Sequence, residues 1–170
     1  MEIVYRAAVV TLSDKGAAGQ RLDESGDKVE EILKTAGFKV VERRILPDER
    51  ELIALTLKNI CDQNLADLVV TTGGTGFAPR DCTPEATLDA AQRLAPGLSE
   101  LMRLEGLKKT PRAALSRGVA AIREKSLILN LPGSPKGASE NLKAVLSVLD
   151  HALELLTGRG AECAVPLDNH

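Results

Sequence analysis

The residues with the clearest chemical potential are Thr71-Thr72-Gly73-Gly74-Thr75-Gly76, which directly follow an apolar run. Glycines at a strand end let backbone N–H groups come up against phosphate oxygens, because no Cβ blocks the approach. The same spacing suits a turn that needs positive φ, so alone it supports either a phosphate cradle or a plain turn. It is not a Walker loop, since no Gly-Lys-Ser/Thr follows. A Rossmann loop belongs after the first strand, where residues 13–19 carry no Gly-x-Gly-x-x-Gly. Two carboxylates accompany these loops. Asp81 closes the glycine-rich stretch ahead of Thr83-Pro84, and Asp48 follows Pro47. Asp48 with Glu51 also has the spacing of a capping box, and Asp81 suits a helix dipole. Either role still lets the side chain face a ligand. Cys82 has no histidine near it in sequence and reads as a small buried filler. His151 lies beside an apolar helical stripe and reads as packing or surface.

The elements that must position these groups alternate in type. Apolar runs over 7–12, 38–41 (extending to 45), 68–72 and 127–131 predict strands buried on both faces, as in a parallel sheet. Val29, Ile32, Leu33 and Ala36 follow helical spacing, with Gly37 placed as a C-terminal stop. A second helix is predicted over 49–63. Thr83-Pro84-Glu85 predicts a third, capped by Thr83 and running toward Leu94. A long last helix carries Leu142, Val145, Leu146, Leu149, Leu153 and Leu156 and stops near Gly158. Residues 111–125 break the rhythm, and 114–116 and 119–122 read as short extended pieces. The expectation is a three-layer α/β/α domain over 1–158, with a mostly parallel central sheet and a small antiparallel excursion. Residues 159–170 are expected as an irregular tail. Ligands of such sheets bind beyond the carboxyl ends of the strands. That rule selects Ser13-Asp14-Lys15-Gly16, Pro47-Asp48-Glu49, the stretch 73–81 and Pro132-Gly133-Ser134-Pro135.

Bulk composition narrows the classes. The 170 residues are 44% apolar and 27% charged, ordinary for one globular domain. No apolar run reaches the roughly 18–20 residues of a membrane span, and the first residues lack the pattern of a signal peptide. Three scattered cysteines point to a reducing compartment, so a cytoplasmic location is expected. Only two histidines are present, which argues against a histidine-rich metal site. A net charge of −2 and three aromatics give no pull toward nucleic acid. The basic stretch 103–125, with Arg112 and Arg117, reads equally as a solvated face or an anion-facing one.

At this point the motifs resemble a known family. Residues 71–87, TTGGTGFAPRDCTPEAT, are similar to the signature of the molybdenum-cofactor biosynthesis family that includes MogA, MoaB and the gephyrin G domains. Pro47-Asp48-Glu49, Leu115-Ser116-Arg117 and 129–135 match further motifs in order, and Asp23-Glu24-Ser25-Gly26 a weaker one. The resemblance implies a trimeric molybdopterin adenylyltransferase using ATP with Mg²⁺, with Asp48 and Asp81 as its catalytic carboxylates and either one a possible Mg²⁺ ligand. It implies substrate binding by Ser13, Gly73, Gly74, Thr75, Gly76, Ser116, Pro132, Gly133 and Ser134, and a downstream molybdenum insertase as partner. A member that only binds molybdopterin, or a scaffold, is the alternative.

Overall fold

The computed structural model describes residues 3–159. Six strands form one sheet in the order β2-β1-β3-β6-β5-β4. They are β1 (Arg6–Leu12), β2 (Lys39–Leu46), β3 (Leu68–Thr72), β4 (Arg93–Leu94), β5 (Ala120–Arg123) and β6 (Ser126–Leu131). β2, β1, β3 and β6 run parallel, while β5 is antiparallel to both β6 and β4. The mostly parallel sheet with its small antiparallel excursion is therefore observed.

The helices are α1 (Asp14–Ala17), α2 (Glu24–Thr35), α3 (Arg50–Asp62), α4 (Thr83–Ala90), α5 (Pro96–Leu107) and α6 (Pro135–Thr157). α2, α5 and α6 cover one face, where Val29, Leu33, Met102, Leu142, Leu149 and Leu153 meet Val9, Val70 and Leu129. α3 and α4 cover the other, with Ile53, Leu57, Ile60 and Ala86 against Ala8, Val10, Val69 and Ile128. Strict alternation of the strand side chains splits the two cores. β1, β3 and β6 are buried almost throughout.

Several elements differ from expectation. β2 is an edge strand, so its residues alternate in exposure instead of being buried on both faces. α4 starts with Thr83 inside the helix, behind an N-cap Cys82 that makes no side-chain cap bond. It stops at Ala90, because residues 93–94 pair with β5. α5 was not foreseen: it buries the small residues Ser99 and Gly106 with Met102, while Leu104 and Leu107 face out, so its apolar pattern misleads. Residues 111–115, expected to be partly extended, form a 3-10 turn. Pro111 presets φ and the Thr110 hydroxyl accepts from the Arg112 N–H at 3.3 Å. No helix among the described residues is long and apolar enough to cross a membrane. The tail expected over 159–170 lies, from 160 onward, outside the described residues.

Candidate active site

Strand register brings the four selected loops to one edge. Thr11 pairs with Ile45 and with Thr72, and Thr72 pairs with Leu131. The helices that follow β1 and β2 cover opposite faces, which opens a crevice between the ends of β1 and β3. A cleft of about 730 Å³ lies there, lined by Ser13, Arg21, Asp23, Asp48, Gly73 and Ile45 among others. A second cleft of about 460 Å³ lies under α5 and the 3-10 turn, lined by Thr75, Gly76, Arg103, Arg112, Ser116 and Pro132. Gly74, Asp81, Gly133 and Ser134 line both. Every residue expected to bind or react thus falls on one of two clefts that share a wall.

The glycine loop is built by close packing. Gly73 has φ +102°, and a Cβ there would run into the Leu12 carbonyl oxygen. Gly74 has φ +66°, and a Cβ would strike the Thr83 hydroxyl. Only glycine meets both demands at once. Hydroxyls then staple the loop from below. Thr83 donates to the Gly73 carbonyl at 2.8 Å, and Thr72 donates to the Pro132 carbonyl at 2.7 Å. The Asn130 amide donates to Thr71 and Thr87, each at 2.9 Å.

The carboxylates are placed differently from simple caps. Helix α3 is capped by Glu49 without a side-chain bond, so Asp48 is not its N-cap and the capping-box reading fails. Asp48 instead accepts from the Asp14 N–H at 3.2 Å, and Asp14 accepts from the Asp48 N–H at 3.0 Å. The other Asp48 oxygen, Oδ1, is buried with no hydrogen-bond partner among the described residues. Burial pushes the Asp48 carboxyl above the usual range. The Asp14 N–H opposes this, and the charges of Asp14 and Asp81 add to it. Asp14 is itself held low, first by Arg80, which grips it with two bonds of 2.9 and 2.8 Å. Asp81 Oδ2 accepts from the Ala78 N–H at 3.0 Å. Cys82 is pushed up by burial, which leaves it a poor nucleophile.

The chain's residues 8–151 match the family model for a probable molybdopterin binding domain. The chain belongs to this family. The molybdopterin adenylyltransferase of Helicobacter pylori strain J99 is 46% identical over 152 residues, 88% of this chain and 86% of that protein. The molybdopterin adenylyltransferase of Escherichia coli K12 is 45% identical over 143 residues, 82% of this chain and 73% of that protein. The crystal structure of the molybdopterin biosynthesis enzyme MoaB from Thermus thermophilus superposes with a TM-score of 0.87 at 54% identity. It covers 91% of this chain and 98% of that one.

Within this molybdopterin-binding domain the serines serve as caps as well as cleft walls. Ser13 accepts from Gly16 N–H at 3.0 Å and Ser134 from Gly137 N–H at 3.1 Å, and each hydroxyl still has its proton to donate. Ser134 also opens α6, whose free N–H groups favour an anion at the shared wall. The basic stretch 103–125 resolves residue by residue. Arg103 donates to the Gly118 carbonyl at 2.9 Å, Lys109 pairs with Glu140 at 3.2 Å, and Arg123 pairs with Asp62 at 2.7 Å. Arg112 alone of the arginines there lines a cleft without a side-chain partner among the described residues. Asp14, Asp23 and Arg103 were named from sequence only within longer stretches and given no role of their own, and Arg21 was not named. Asp14 and Asp23 had a signal, a place just past β1 and a capping position before Gly26. Arg103 had only its place in the basic stretch, because α5 itself was not foreseen. His151 is exposed beside Glu154.

Proposed function

We propose that the protein is a molybdopterin adenylyltransferase, which transfers AMP from ATP to the terminal phosphate of molybdopterin and releases pyrophosphate. Relatives of that name match over most of the chain at 40–46% identity. The observation that carries the reading is the wall of Gly74, Asp81, Gly133 and Ser134 between two clefts, across which two anionic substrates can meet. A phosphate oxygen of molybdopterin attacks the α-phosphorus of ATP. The new P–O bond forms as the bond to the β-phosphate oxygen breaks, and the electron pair leaves with pyrophosphate. The attacking oxygen is already anionic at neutral pH, so the work lies in holding two polyanions together.

Backbone donors of Gly74, Thr75 and Gly76, hydroxyls of Ser13, Ser116 and Ser134, and the Arg112 guanidinium would do this, with Gly73, whose N–H is taken by the Leu131 carbonyl at 3.1 Å, Pro132 and Gly133 shaping the wall. Asp48 and Asp81 fit a Mg²⁺ ion that arrives with ATP. Among the described residues, Asp48 Oδ1 is buried with no hydrogen-bond partner and the Asp81 charge acts on the same carboxyl, while no cluster of three or more metal-binding side chains exists. Mg²⁺ commonly takes one or two carboxylates and completes its shell with phosphates and water. When bound it neutralises charge on the triphosphate.

Purified protein with MgATP alone is expected to hydrolyse negligible ATP, and added molybdopterin to release pyrophosphate in step with adenylylated pterin. Brisk formation of ADP without the pterin would sink the assignment. The same reading includes a cytoplasmic homotrimer that hands its product to a molybdenum insertase. Helix α6 carries spare apolar surface for such an assembly, with Val148 40% and Leu155 72% exposed. Light scattering should give three times the chain mass at micromolar concentration, and a monomer mass would remove the trimer.

A further inference from the structure

We propose that Arg117 is a positioning residue that clasps the loop carrying Asp81, acting on adenylyl transfer without touching either substrate. This rests on the reading that Asp81 acts in that transfer. The basic residues of the segment invite the view that Arg117 meets a phosphate. The geometry points elsewhere. Its Nε donates to the Gly76 carbonyl at 2.7 Å, its Nη2 donates to the Asp81 carbonyl at 2.9 Å, and its Nη1 pairs with Glu85. Its backbone N–H donates to the Thr75 carbonyl at 2.9 Å. Arg117 lines neither cleft.

Gly76 and Asp81 are the two ends of a short loop with no regular structure. Phe77 within it is 71% exposed, so no apolar anchor fixes the loop. Inside the loop, Asp81 N–H donates to the Ala78 carbonyl at 2.9 Å and Ala78 N–H to the Asp81 carboxylate at 3.0 Å, and the exposed Arg80 reaches out to Asp14; the guanidinium of Arg117 is what ties the two ends together. A planar fork bonded at three edges sets orientation as well as distance, which a lysine cannot reproduce. Glu85, in the first turn of α4, fixes the fork against the helix that follows Asp81. Arg117 also follows Ser116, whose carbonyl region Arg103 holds from the other side. The clasp therefore joins the wall of the second cleft to the carboxylate shared by both.

The test compares R117K, R117A, D81N and the R117A/D81N double variant of the full chain. Kinetics with MgATP and molybdopterin are combined with amide hydrogen exchange. In R117A, exchange of the hydrogen-bonded Ala78 and Asp81 amides should rise about tenfold. Its kcat should fall about 10- to 100-fold while both KM values stay within about threefold, with part of the loss restored in R117K. In the D81N background R117A should add less than about a threefold loss, because the group it positions is gone. Unchanged loop exchange overturns the clasp. A tenfold rise in KM, or a full loss added on top of D81N, overturns its indirect role and makes Arg117 a substrate contact. Full activity in D81N would instead defeat the role given to Asp81 in the transfer, and with it the catalytic half of this proposal, while the exchange measurement still decides the clasp.

Discussion

Two aspartates at opposite edges of the same sheet are treated in opposite ways. Asp67, at the amino-terminal end of β3, is 1% exposed and accepts from the Arg6 backbone at 2.8 Å and from Arg6 Nη2 at 2.9 Å. Arg159, just past the end of α6, pairs with it as well. Burial alone would raise its carboxyl, but Arg6 and Arg159 together hold it below the ordinary range. Asp48, past the carboxyl end of β2, has one oxygen on a backbone N–H and the other without a partner among the described residues, and its carboxyl is raised. One edge spends its charge on internal pairs; the other keeps an unsatisfied carboxylate where a cleft admits a ligand. Strained or unsatisfied groups of this kind gather at functional sites.

The largest effect that tests this contrast is on activity. Asp48→Asn and Asp81→Asn should each lower adenylylation by about 10²- to 10³-fold, since a charge aimed at the reacting phosphates is lost. Asp48→Asn should nevertheless melt at or above the parent temperature at pH 7. A carboxyl raised in the folded state favours folding fully only below its ordinary pKa, and that advantage is lost as pH rises through the raised value. Near-normal turnover in Asp48→Asn would end the functional side of the comparison.

Asp67→Asn should do the reverse. Arg6 and Arg159 are 31% and 39% exposed, so water screens part of the loss, and about 2–3 kcal/mol of stability should go. The kcat of the folded fraction should not change. Because the folded pKa of Asp67 is lowered, its contribution is present above the ordinary carboxylate pKa and disappears as pH falls through the folded value. Melting temperatures of Asp67→Asn and parent should therefore converge in acid and separate toward neutrality. A constant gap from pH 3 to 7 would contradict the ion-pair origin.

The smallest effect sharpens the boundary between the two roles. Ser13 both caps α1 and lines the larger cleft. Ser13→Ala should lose about 1 kcal/mol or less in a denaturant titration. Its adenylylation should fall less than about tenfold, since the neighbouring backbone donors remain. A loss as large as that of Asp48→Asn would promote Ser13 from wall to principal ligand.

The sequence by itself determined the layers and the address of the site. Buried runs such as 68–72 can only be interior strands, and residues that alternate with helical stripes force a sheet covered on both faces. Gly73 and Gly74 announced a backbone that approaches other groups closely, and the four loops shared one edge because parallel strands all end there. What local pattern could not decide was which partner each polar group would take. Asp48 and Glu51 have the spacing of a capping box, yet a backbone N–H at residue 14, far away in the chain, claimed the carboxylate. Arg117 read as free charge until folding placed the Gly76 and Asp81 carbonyls against its guanidinium. Helix α5 escaped notice because its buried face mixes small Ser99 and Gly106 with Met102 while Leu104 and Leu107 face out, so apolar spacing alone does not mark it. Helical and strand periodicity are properties of neighbouring residues. Hydrogen-bond partners between distant segments, and the pKa shifts that follow from them, exist only once the chain has folded.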